Sequence, residues 1–83
     1  MLERLEELDG RIESVSQHWT VARMPVIDRN VLRMAVYELE DGDGAPTSVV
    51  IAEAVRLVAA YSTERSAPFV NGVLSALAKD LRG

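Results

Sequence analysis

Apolar residues recur along this chain at intervals of three and four, the period of a helix packed on one face. Leu2, Leu5, Leu8, Ile12 and Val15 form the first stripe, with Glu3, Glu6, Glu7, Arg11 and Glu13 opposite, which predicts a helix over residues 2 to 16, weakened at Gly10. Trp19, after the turn that follows, reads as an aromatic capping the core. Arg23-Met24-Pro25 marks the next boundary: a proline disfavours helix at the residue before it but is accepted where a helix begins. A second helix is expected from about 26 to 40. Its apolar arc, Ile27, Val31, Leu32, Met34, Ala35, Val36 and Leu39, is too wide for a simple surface helix, so it should be central and packed on more than one side.

Asp41-Gly42-Asp43-Gly44-Ala45-Pro46 gathers turn formers, with Pro46 placed to open a third helix over about 47 to 61. That helix sets Val50, Ile51, Ala54, Val55, Leu57, Val58 and Tyr61 on one broad face, with Ala52, Ala59 and Ala60 alongside. Residues 62 to 68 read as a loop with N-cap candidates, after which Val70, Val73, Leu74, Leu77, Ala78 and Leu81 define a fourth helix ending near Gly83. The pattern is an all-α bundle of about four main helices in one domain, 1–83, without repeats.

Composition narrows the function. Eighty-three residues lie near the size at which burial only marginally offsets chain entropy, so packing against another chain is expected. There is no cysteine and a single histidine, His18, which excludes disulfides and conventional zinc sites; no metal and no cofactor are expected. No apolar run is long enough for a membrane span and the first residues lack signal-peptide order, so a cytoplasmic location is expected. The net charge of −4 and pI near 4.8, with nine dispersed basic residues, equip the chain poorly to hold RNA by itself.

Few residues suggest chemistry. Glu38 falls between Val31 and Met34 in helical phase and is expected to be a paired, structural carboxylate. No histidine or second carboxylate stands at acid/base spacing beside it, so no catalytic residue is assigned and an enzyme is not expected. Asp28, in the first turn of its helix, suits the helix dipole. Arg29 and Arg33, one turn apart, share a face with Tyr37 and Glu40 that reads as solvated, with partner or phosphate contact as the alternative. Asn71-Gly72 places a glycine inside an apolar helix, where it costs about 1 kcal/mol relative to alanine, so a close approach of another backbone is expected there.

Taken in order, residues 27–39 (Ile-Asp-Arg-Asn-Val-Leu-Arg-Met-Ala-Val-Tyr-Glu-Leu), Ile51-Ala52-Glu53-Ala54-Val55, Tyr61-Ser62-Thr63 and Phe69-Val70-Asn71-Gly72-Val73-Leu74 resemble the C-terminal half of the NusB family of transcription antitermination factors, from about Leu8 to Ala78. The resemblance implies a NusB-like helical bundle with its N-terminal half absent. It also implies a role in ribosomal RNA transcription, acting with ribosomal protein S10 on boxA-type RNA. On that footing Arg65, Phe69 and Asn71 become candidates for RNA contact. Asp28 becomes a candidate for protein contact, compatible with its capping role, together with Arg29, Arg33, Ala59 and Ala60. Phe69 is open to a core role as well as to stacking on a base.

The departures from the family pattern run the other way. Ala59 and Ala60 stand where lysine is common, Pro68 stands where a basic residue is frequent, and the arginine-rich N-terminal segment is lacking. Surface charge has moved toward apolarity, which suits burial against protein. Two rival readings follow: an interaction module that homo-oligomerises or pairs with a chain supplying the missing half, and an accessory domain of a ribosomal RNA methyltransferase.

Overall fold

A computed structural model of the chain describes residues 2–16, 21–40 and 44–82. Four α-helices account for most of them: α1 (Leu2–Val15), α2 (Val26–Glu40), α3 (Thr47–Tyr61) and α4 (Ser66–Arg82), with a single 3₁₀ turn at Val21–Arg23 between the first two. Trp19, His18 and residues 41–43 lie outside the described residues, so the expected core-capping role of Trp19 belongs with them.

Two of the helix starts follow from proline. The Pro25 carbonyl accepts the Arg29 amide at 3.0 Å, and the Pro46 carbonyl accepts the Val49 and Val50 amides at 3.0 and 3.1 Å. In each case proline stands just outside the helix, where its missing N–H costs nothing. α4 begins four residues earlier than the apolar periodicity predicts. Ser66 donates its amide to the Thr63 carbonyl at 3.1 Å, and Thr63 donates its amide to Ser66 Oγ at 3.3 Å, so a reciprocal pair of bonds closes the turn that leads into α4. Pro68 is then the third residue of the helix, where an amide has no intrahelical acceptor to lose.

α2 is the centre of the bundle and packs against α1, α3 and α4, while α1 rests on α2 and α4. The core is contributed by Leu8 and Ile12 of α1, Met24, and the inward faces of the other helices: Val31, Leu32, Ala35, Val36 and Leu39; Val50, Ala54 and Val58; Val70, Val73, Leu74, Leu77 and Ala78. Two polar devices fix the helices relative to one another. Arg33 grips Asp9 with two hydrogen bonds, 2.7 and 2.8 Å, and Arg11 pairs with Glu40 at 2.9 Å, so α1 is held to α2 by charge as well as by its apolar stripe. Arg82, at the end of α4, donates to the Glu38, Leu39 and Ala45 carbonyls and to Thr47 Oγ1. One guanidinium thus supplies donors to the orphan carbonyls ending α2 and to the entry of α3.

Four expectations are corrected. The face of Arg29, Arg33 and Glu40 is not a solvated one: α1 lies along it, Arg33 is engaged with Asp9, and all three residues are partly buried. Glu38 has the phase predicted for it, beside Val31 and Met34, yet it is exposed because none of the described helices covers that side of α2. At Gly72 an added Cβ would meet no atom within 4 Å, so no neighbouring backbone within the described chain requires the glycine. Tyr61, expected on the buried face of α3, is its last residue and 70% exposed.

Candidate functional site

Among the described residues Asp28 is the one carboxylate that the fold withdraws almost wholly from water, with 2% of its surface exposed. Its position in the first turn of α2 is electrostatically favourable, but its partners come from the other end of the sequence. Ser62 Oγ donates to Oδ1 at 2.5 Å and Ser66 Oγ donates to Oδ2 at 2.7 Å. Each hydroxyl has one proton to give, so with both protons committed to Asp28 the 3.0 Å approach of Ser66 Oγ to Ser62 Oγ is left without one, and the contact between Ser66 and Thr63 has a single solution. Thr63 Oγ1, 2.8 Å from Ser66 Oγ, is the donor there. A buried carboxylate requires this kind of satisfaction, and the arrangement ties the start of α2 to the α3–α4 connection.

Over this network opens a pocket of about 300 Å³, lined by Pro25, Asp28, Thr63, Arg65, Ser66 and Phe69. Pro25 and a half-buried Phe69 give it apolar walls, and Arg65, exposed at the entry to α4, adds a cation beside the positive end of that helix. An aromatic edge, an arginine and a helix N-terminus in one place form a combination suited to an unpaired base with its phosphate, or to a side chain of a partner protein.

The candidates read from the sequence separate into groups. Arg65, Phe69 and Asp28 meet at this pocket. Asn71, although only two residues beyond Phe69, is exposed and points to nearly the opposite side of α4. Arg29 and Arg33 lie on the α1 side of α2. Ala59 and Ala60 are exposed on the outer surface of α3, on either side of Arg56 in helical phase. Pro25 was read as a helix boundary, Ser62 and Thr63 as part of a family block, and Ser66 as part of a loop with N-cap candidates, but none of them as a site residue. Ser62 and Ser66 stand four residues apart across the α3–α4 connection, which is legible, but nothing in the sequence says that both face a carboxylate 34 and 38 residues away.

Among the described residues, no helix is long and apolar enough to cross a membrane, and no group of three histidines, cysteines or acids is placed to hold a metal ion. Among the described residues the fold is thus an all-helical bundle, with α2 as its axis and a pocket over a buried polar network at the start of α2 and α4. Residues 1–79 match the NusB family profile, and the chain belongs to the NusB family. It is 48% identical over 80 residues to the transcription antitermination protein NusB of Solibacter usitatus, covering 96% of this chain and 54% of that protein. It is 54% identical over 71 residues to the protein of the same name from Acidothermus cellulolyticus, covering 86% and 49%. The solved structure of T. maritima NusB superposes with a TM-score of 0.89 at 42% identity, over 95% of this chain and 56% of that one. The chain therefore spans about half the length of the relatives it matches.

Proposed function

We propose that this chain is a non-catalytic, RNA-linked antitermination module of the cytoplasm, acting with ribosomal protein S10 on boxA-type RNA in ribosomal RNA transcription. The observation that carries the reading is the pocket at the α2–α4 end. Family membership supplies the role, and this is where the chain gathers an aromatic, an arginine and a helix N-terminus around a rigid, hydrogen-bonded floor. Phe69 offers its ring to an unpaired base for stacking and Arg65 reaches the phosphate beside it, while Pro25 forms the part of the rim that meets protein and the buried Asp28 holds the floor beneath it. Asn71, on the other side of α4, is outside this surface.

Titration of a fluorescently labelled single-stranded boxA-type RNA tests the assignment. Phe69→Ala is expected to weaken binding by roughly tenfold, the scale of one lost base stack, and Arg65→Gln by a smaller factor. Asn71→Ala is expected to bind as the parent chain does. Melting curves of all three variants separate lost contacts from lost folding, and addition of S10 is expected to raise the affinity of the parent. Unchanged RNA affinity in both Phe69→Ala and Arg65→Gln would remove the pocket from the RNA surface.

A rival reading, a module that acts by pairing with protein, draws support from a different observation. Val26, Met34, Tyr37 and Val49 are large apolar residues with about half or more of their surface exposed.

A further inference from the structure

The side chains that floor the α2–α4 pocket can accept hydrogen bonds but have none to give. Asp28 takes one hydroxyl proton on each oxygen, from Ser62 at 2.5 Å and from Ser66 at 2.7 Å. Ser66 Oγ is then filled, because it also receives the Thr63 amide and the Thr63 hydroxyl. All three hydroxyl protons are thus spent inside the network. Acceptor capacity remains on the cavity-lining side chains: a free lone pair on each Asp28 oxygen, and those of Thr63 Oγ1. No other donor reaches either Asp28 oxygen among the described residues. At the mouth the sign reverses, since Arg65 stands exposed beside the positive end of α4.

We infer that this pocket is selective for guanine in single-stranded RNA, with Asp28 reading the edge of the base. The inference rests on the RNA reading proposed above and adds to it the identity of the base. A nucleotide is polarised in the same order as the pocket: its base carries the hydrogen-bond donors and its phosphate the negative charge. With the base stacked on Phe69 and the phosphate at Arg65, the donor edge is the part left for the floor. Guanine presents N–H donors from N1 and N2 side by side in the plane of the ring, which match the two oxygens of one carboxylate, and hydrogen bonds to an ionised acceptor are the stronger kind. Adenine and cytosine offer a single amino group, and uracil one N–H between two carbonyl oxygens that a carboxylate repels. The volume, about 300 Å³, is at the lower end of the range for ligand pockets and suits one base. A cationic side chain of a partner protein is the poorer occupant, because it must enter past Arg65 and the positive end of α4.

The test titrates the full 83-residue chain, at low salt, with a labelled oligouridylate carrying one guest nucleotide at its centre. Guanosine as guest is expected to bind roughly tenfold tighter than uridine, the scale of one bidentate base contact, with adenosine and cytidine between them. Inosine, which lacks the N2 amino group, is expected to bind about fivefold less tightly than guanosine, and guanosine methylated at N1 no better than uridine. Asp28→Asn, which replaces an acceptor by a donor, is expected to abolish the preference. Melting curves show whether that variant folds, and the modified guests test the same contact with the fold untouched. Equal binding of all guests, with Phe69→Ala still weakening it, overturns the inference and leaves the RNA surface in place. Equal binding with Phe69→Ala and Arg65→Gln both without effect removes both readings. Chemical-shift changes at the Thr63 and Ser66 amides produced by N-acetylargininamide, and not by the guanosine oligonucleotide, also overturn the inference, by assigning the floor to a cationic side chain of a partner protein.

Discussion

At Gly72 the chain accepts a poor helix former on the exposed side of α4, and the space around its Cα is open. No contact within the described chain offsets the entropy cost, so Gly72→Ala should raise unfolding free energy by about 0.5–1 kcal/mol, seen as a shift of the urea midpoint at constant slope. Destabilisation by this substitution would reveal a contact the isolated chain uses. Glu38 illustrates the same separation of phase from burial. Its neighbours around the helix are apolar as expected, but a carboxylate on an open arc faces water and has no desolvation to be compensated. Asp28 is the converse case. The helix dipole was readable from its place in the first turn, whereas its near-complete burial depends on two serines contributed by a distant turn.

Among the elements, α4 does more than fill one side of the core, because its last residue ties three helices together. Arg82 supplies charged donors to carbonyls at the end of α2 and before α3, and those acceptors would otherwise be left without intrahelical partners. Arg82→Met keeps much of the side-chain volume and removes the donors, and is expected to cost about 1–3 kcal/mol in chemical denaturation. Lys79→Met, one turn earlier and exposed, should change stability by no more than about 0.5 kcal/mol. α1 is held differently, by Leu8, Ile12 and the two ion pairs to α2. Its hydrogen bond with Asp9 raises the Arg33 pKa above the ordinary arginine value. A raised pKa gives stability that is complete below the unfolded-state value and fades only as pH climbs through the folded one. The Arg33 contribution is therefore flat across neutral pH, and salt weakens it more readily than alkali.

For the whole molecule, thirteen acidic residues against nine basic ones set the terms of any RNA contact. Of the nine basic residues, Arg33, Arg11, Arg56 and Arg82 are engaged within the chain, and the others are dispersed along it, which leaves no dense cationic cluster to displace counterions. The RNA affinity of the chain alone should accordingly be weak, with a log–log salt slope of magnitude about 2 or less, the signature of two or three phosphate contacts on a single strand. Titrations between low and physiological salt measure it. A slope of magnitude about 4 or more would require a cationic surface larger than the Arg65 end of the bundle provides.

The number of helices, the starts of α2 and α3 after Pro25 and Pro46, the central place of α2 and the family itself were legible in the sequence. These depend on local chemistry: the period of apolar residues, the missing amide of proline, and the order of short motifs. The early start of α4 was obscured because Pro68 reads as a helix breaker until its place in the first turn is known. Tertiary structure alone decided that Ser62 and Ser66 satisfy Asp28, that Arg33 serves α1, that Phe69 and Arg65 share a pocket while Asn71 does not, and that one third of α2 stays open. Periodicity sets the direction in which each side chain leaves its helix. Whether that direction meets another helix, a hydroxyl or water is settled by contacts between residues far apart in the chain, which no local pattern encodes.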